Sequence, residues 1–199
     1  MSDPTLDSYN QNAVAFVDRT VETDLTCLYA PFLALLQPGA SILDLGCGSG
    51  RDSKYFLAHG YAVEAVDGSS ELCKIASKYL GRPVRQLLFQ DLDYAETFDA
   101  VWANASLLHV PKDALPSVLQ KINDALKPGG ILHASFKHGA FFGERDGRLF
   151  TDLTEQDLLK IVERASGFQI ISTSVTQDGR PDRDDVQWLN AILRRRFDP

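Results

Sequence analysis

The chain is short of cysteine. Only Cys27, Cys47 and Cys73 occur in 199 residues. Their odd number and the lack of any C-x-x-C spacing argue against a disulfide framework and a structural zinc site, so no metal is expected. Long apolar runs are also missing: nothing approaches the roughly 18 residues of a membrane span. Residues 1–12 are polar, with Asp3 and Asp7 in the region where a secretory leader would be basic and then apolar. Neither secretion nor a membrane is expected, and a reducing cytoplasm is the expected setting. Positive charge is scarce as well. With 20 Lys and Arg against 27 Asp and Glu, the net charge is −7, the wrong sign for binding along phosphates, so no nucleic-acid partner is expected. The one basic cluster, Arg194, Arg195 and Arg196 beside Asp198, reads as a solvated tail. There are no fixed-period repeats or low-complexity tracts.

What is present suits one α/β domain with a real core, at 44% hydrophobic and 24% charged residues. Between residues 5 and 36, Ala13, Phe16 and Val17, then Leu25, Leu28, Phe32 and Leu35, recur at helical spacing and predict two amphipathic helices. The run Ile42 to Leu45 predicts a buried strand. Strands near 62–66, 84–89 and 98–103 then alternate with a helix over 70–80, with Ser70 as N-cap. A helix over 115–126, closed by Lys127-Pro128-Gly129-Gly130, precedes a strand over 131–136. Such alternation predicts parallel pairing. The segment 138–153 has no sustained period, and irregular stretches of that length are often functional. Thr154 caps a helix through Ala165. Strands over 168–175 and 186–193, joined by a polar loop, predict an antiparallel closing pair.

Asp44-Leu45-Gly46-Cys47-Gly48-Ser49-Gly50-Arg51 carries the strongest signal for chemistry. It follows a strand and opens a helix, so its glycines allow a sharp turn and let a ligand approach bare main chain. Asp67 ends the next strand, where a carboxylate can accept both hydroxyls of a ribose. A nicotinamide-dinucleotide site would read G-x-G-x-x-G, but Arg51 stands where its third glycine belongs. The spacing is instead G-x-G-x-G.

In this respect the sequence resembles the class I S-adenosylmethionine-dependent methyltransferases. Their first motif is matched by residues 43–50, and further matches follow in order: Asp67, Gln90-Asp91-Leu92, Phe98-Asp99 and Leu126-Lys127-Pro128-Gly129-Gly130. The resemblance implies a Rossmann-like three-layer α/β/α sandwich with seven strands in the order 3-2-1-4-5-7-6, mostly parallel, the last antiparallel. It implies a single domain over 1–199, with an N-terminal helical lid at 1–37, a cofactor-binding core at 40–137, and acceptor-side and closing segments at 138–199. S-adenosyl-L-methionine is the implied cofactor. Gly46, Cys47 and Gly48 would lie under its methionine part, with Asp44 near the amino group and Arg51 near the carboxylate. Asp67 would hold the ribose, flanked by Gly68 and Ser69. Asp91 and Leu92 would meet the adenine, while Asn104, Ala105 and Leu108 would surround the sulfonium. Tyr9 would close over the cofactor or serve as a core aromatic.

A methyl sulfonium carries its own good leaving group, so alignment and exclusion of water are the protein's main tasks and a dedicated catalytic residue is optional. His138 and His109 are the candidates for a base; His133 reads as a satisfied, half-buried strand residue and His59 as surface. The expected acceptor is a small molecule. Phe141, Phe142, Arg145, Arg148, Arg180 and Arg183 are candidates for its walls, the arginines either holding an anion or pairing with Asp182, Asp184 and Asp185. Gly50-Arg51-Asp52-Ser53 and the compact C-terminus resemble the small tellurite-resistance-type methyltransferases, which implies a tellurite-like oxyanion or a small organic acceptor. The expected state is monomer or homodimer. A non-catalytic S-adenosylmethionine-binding module and an NAD-dependent oxidoreductase are the rival readings.

Overall fold

The computed structural model describes residues 3–180, 183 and 185–197. Its main sheet comprises β1 (Ser41–Leu45), β2 (Ala62–Asp67), β3 (Arg85–Gln86), β4 (Phe98–Ala103), β5 (Leu126–Lys137), β8 (Phe168–Gln177) and β9 (Gln187–Arg195). The order is β3-β2-β1-β4-β5-β9-β8. A separate hairpin, β6 (Phe142–Arg145) with β7 (Arg148–Thr151), lies outside it. With the hairpin set aside, this is the expected order. β3, β2, β1, β4 and β5 pair in parallel, and β9 runs antiparallel to both β5 and β8.

The central strands are apolar on both faces because both faces are covered. Leu43, Leu45, Val101, Leu132 and Ala134 point into a cluster with Leu119 and Ile122 of α6 (Leu115–Ala125) and Leu158 and Ile161 of α7 (Glu155–Ala165). Ile42, Ala100, Trp102 and Ile131 point the other way, onto Phe32 of α3 (Thr26–Leu33) and Phe56 of α4 (Arg51–Ala58). This period-two division gives the three layers. The remaining helices are α1 (Pro4–Gln11), α2 (Ala13–Thr20) and α5 (Ser70–Leu80).

Several expectations change. The N-terminal region holds three helices rather than two, since Asp3 caps α1 by accepting from the Thr5 amide. Ser69, not Ser70, caps α5. The strand expected over 84–89 keeps only Arg85 and Gln86 and gives way to a 3-10 turn over Phe89–Asp91. The irregular segment contains the β6–β7 hairpin, turned by Asp146-Gly147 with φ of 50° and 72°, the left-handed pair that suits a tight hairpin. Arg195 is no tail residue: it is buried, donates to the Leu126 carbonyl and pairs with Glu96 at 2.9 Å. Asp182, Asp184 and Asp198 lie outside the described residues.

Candidate active site

The strand ends on one edge of the sheet build the site. β1 runs out at Leu45 into the glycine turn, where Gly46 has φ of 80° and a Cβ would stand 2.5 Å from that of Ser106. Only glycine fits there. Ser106 Oγ donates to the Leu45 carbonyl at 2.7 Å, tying the turn after β4 to the end of β1. At the tip of β2, Asp67 Oδ2 accepts the Gly48 N–H at 2.9 Å and Oδ1 accepts the Ser69 N–H at 2.8 Å. Burial pushes the Asp67 pKa up against the pull of these amides. With one donor on each oxygen, the carboxylate is fixed in direction and still has lone pairs for further donors.

Behind the turn lies a buried polar knot that the sequence did not reveal. Asp52 accepts from Arg51 Nε at 2.6 Å, Tyr29 Oη at 2.7 Å and Trp102 Nε1 at 2.7 Å. Burial opposes its charge, but Arg51 and the other donors outweigh burial and hold its pKa below the ordinary range. Arg51 Nη1 also reaches the Thr20 carbonyl at 2.9 Å, linking the start of α4 to the end of α2. Asp44 sits deeper, accepts from Ser53 Oγ at 2.6 Å, and has its pKa raised by burial and then by Asp52. His133 is wholly buried rather than half-exposed. Its ring stacks on Trp102 at 3.9 Å and both its nitrogens lack hydrogen-bond partners.

α1 closes the site from above. Asn10 Oδ1 accepts from Ser69 Oγ at 2.7 Å, and Thr5 Oγ1 accepts from the Leu149 amide of β7 at 3.0 Å, so the helix is fastened at both ends. The ring of Tyr9 meets Phe16 and His109 edge-on, with centroids 5.2 and 5.4 Å away.

Together these elements enclose a cavity of about 610 Å³. Of the residues singled out from the sequence, Gly46, Cys47, Gly48, Arg51, Asp67 and Gly68 line it. Tyr9, Asn104, Ala105, Leu108 and His109 line it as well, as do Arg148, Arg180 and Arg183. The structure does not bring the others to its wall. Asp44 is beneath the turn and Ser69 is engaged as the α5 cap. Because β3 ends early, Leu88, Phe89 and Gln90 face the cavity, while Asp91 is exposed and Leu92 is buried in the core. His138 pairs with Glu155 at 3.1 Å. Arg145 makes two hydrogen bonds to Asp152, at 3.0 and 2.8 Å, and its guanidinium covers the ring of Phe141, while Phe142 is exposed. Arg180 likewise grips Asp178. Sequence reasoning missed Phe16, Lys137, Phe150 and Trp188, all of which line the cavity. Among the described residues no group of three or more His, Cys, Asp or Glu is placed to hold a metal, and no helix is long and apolar enough to cross a membrane.

Residues 42–130 match the family model described as a methyltransferase domain. That segment is similar to a methyltransferase domain. The matched span runs from β1 through the glycine turn to the start of β5, so it contains Asp67 and the Arg51, Asp52 and Trp102 members of the knot, while Tyr29 and Thr20 precede it. Among curated relatives of the domain, the ubiquinone biosynthesis O-methyltransferase of Xanthomonas campestris pv. campestris is 36% identical over 105 residues, covering 49% of this chain and 43% of that protein. The demethylmenaquinone methyltransferase of Renibacterium salmoninarum is 30% identical over 162 residues, covering 76% and 65%. The chain thus spans less than two thirds of either relative. Among solved structures, the 1,6-didemethyltoxoflavin N1-methyltransferase of Burkholderia thailandensis, with 1,6-didemethyltoxoflavin and S-adenosylhomocysteine bound, superposes with a TM-score of 0.74 at 26% identity, covering 96% of this chain and 85% of that one.

Proposed function

We propose that the protein is an S-adenosylmethionine-dependent methyltransferase acting on a small-molecule acceptor. The observation that carries the reading is the Asp67 carboxylate, held by the Gly48 and Ser69 amides at the floor of a roofed cavity whose turn presents bare glycine main chain. These residues fit an adenosyl cofactor. Asp67 has acceptor capacity left for ribose hydroxyls, Gly46 and Gly48 admit close approach, and Leu88, Phe89 and Gln90 offer a wall for a flat base. The bound cofactor would supply a methyl group on a sulfonium that departs as a neutral thioether without an acid from the protein.

This chain's residues would do the rest. α1 to α3 act as the lid, keeping water from the reacting atoms. Nε2 of His109, through the Tyr9 hydroxyl that donates to it, receives the proton that an acceptor oxygen or nitrogen loses on methylation. A small organic acceptor is supported by the names of the relatives, which act in quinone biosynthesis. A tellurite-like oxyanion is the finer alternative.

Calorimetric titration with S-adenosylmethionine, S-adenosylhomocysteine and NAD tests the cofactor, and heat with NAD alone would overturn the reading. Transfer of label from methyl-labelled cofactor to a panel of phenols, quinols, amines, tellurite and selenite tests the chemistry. Cofactor binding without transfer to any of them would favour a non-catalytic module.

A further inference from the structure

Six cationic side chains line the cavity: Arg19, Arg51, Lys137, Arg148, Arg180 and Arg183. Four are engaged. Arg19 donates to the Ala15 carbonyl, Arg51 binds Asp52 and the Thr20 carbonyl, Arg148 meets Tyr9 and Asp146, and Arg180 grips Asp178. The side chains of Lys137 and Arg183 make no hydrogen bond or ion pair with any described residue, and Lys137 meets only the Phe150 ring.

Lys137 is the more telling of the two. It stands at the cavity end of β5, half-buried, paired in register with Trp188 of β9, and its Nζ lies 4.7 Å from the centre of the Phe150 ring. Arg148 faces the same ring at 5.3 Å. Asp152, an acid whose charge acts on Lys137, is occupied by the two hydrogen bonds from Arg145. Burial, then Arg145, lower the Lys137 pKa, with Arg183 and Arg180 adding to the effect. An ammonium partly stripped of water among guanidinium groups, with no carboxylate of its own, is a place where an incoming anion gains more than it would in solvent. Phe150, Trp188, Leu108 and Ala114 give the same cavity an apolar lining.

We propose that Lys137, together with Arg183, forms an anion-holding wall of this cavity, so that the methyl acceptor is a small organic anion: an apolar body carrying a carboxylate or similar group apart from the atom that is methylated. The proposal rests on the methyl-transfer reading above and narrows its acceptor class.

Isothermal titration of protein saturated with S-adenosylhomocysteine compares benzoate with benzamide, which share size and shape and differ in charge. Benzoate is expected to bind at least tenfold tighter. Lys137→Gln should erase the difference while leaving S-adenosylhomocysteine affinity within twofold, and Arg85→Gln, which removes an exposed cation away from the cavity, should preserve it. Equal binding of the two probes, no binding of benzoate, or a preference that survives in Lys137→Gln would overturn the wall. Failure of S-adenosylhomocysteine to bind would instead overturn the methyl-transfer reading, and the benzoate comparison run without it would still decide the wall.

Discussion

The hydroxyl of Tyr9 lies 2.8 Å from Nε2 of His109, and Nδ1 of the same ring lies 2.6 Å from the Leu149 carbonyl. A carbonyl only accepts, so Nδ1 carries the proton, Nε2 bears the lone pair and Tyr9 is the donor. Burial lowers the His109 pKa to about 4, which keeps the ring neutral near pH 7. The His109 ring therefore joins helix α1, the turn after β4 and strand β7.

Tyr9→Phe removes that hydrogen bond and with it about 1 kcal/mol of attachment. Amides of α1 should exchange with solvent roughly fivefold faster, while those of β4 keep their protection. Unchanged exchange in α1 would mean that the helix is held by its Asn10 and Thr5 ends alone.

If His109 takes the acceptor's proton, His109→Asn should lower kcat about a hundredfold, in line with the usual contribution of a general base. S-adenosylhomocysteine affinity, read by titration, should stay the same. A kcat within threefold of the parent would remove His109 from the chemistry.

Asp67 is the test of the cofactor site. A ligand at about 100 times its Kd stabilises the folded state by about 2.7 kcal/mol, and for a chain of this size that raises Tm by roughly 5–10 °C. S-adenosylhomocysteine should produce such a shift in the parent, and Asp67→Ala should lose most of it. An equal shift in both proteins would show that the ribose is held elsewhere.

Asp52 sits where loss of a partner is costly. Asp52→Asn would leave the Arg51 guanidinium partly buried without its counter-charge, a change worth about 3–5 kcal/mol, or a drop in Tm of about 10 °C. Calorimetric melting reads it. A loss below about 1 kcal/mol would show that water compensates Arg51.

Acid should destabilise the fold in part through His133. Burial lowers its pKa to about 3 from the ordinary 6.5. Above pH 6.5 both states are neutral and pH has no effect through this group. Between 6.5 and about 3 the unfolded chain binds a proton that the folded chain refuses, and stability falls by about 1.4 kcal/mol per pH unit. His109 acts in the same direction down to about pH 4, while Asp44 and Asp67, whose pKa values are raised by burial, act oppositely. His133→Phe, which keeps a ring against Trp102, should therefore flatten the denaturant-measured acid slope by about 1.4 kcal/mol per unit between pH 6 and 4. Parallel slopes in the two proteins would show that His133 is protonated in the native state.

Much of this was legible in the chain itself. The strand–helix alternation, the glycine turn and Asp67 follow from local signals: apolar runs bounded by turns, glycines at fixed spacing, a carboxylate at a strand end; the strand order came with the family resemblance. The hairpin escaped because its strands have four residues each, too few for a period to declare itself, although Asp146-Gly147 marks its turn. That Asp91 is exposed while Leu88, Phe89 and Gln90 line the cavity was not legible, because motif order locates a segment without saying where a strand ends, and here β3 stops after Gln86.

Sequence alone determined the alternation of strands and helices and the glycine turn after the first strand, because backbone periodicity and glycine sterics act within a few residues. Only the tertiary structure decided which charges are spent and which are free. Arg145 and Arg180 are neutralised by Asp152 and Asp178, Asp52 collects three donors, Lys137 has none of these partners, and His133 is sealed against Trp102. Such pairings depend on distances of a few ångströms between segments far apart in the chain, and electrostatic energy is set by those distances and by burial rather than by residue order.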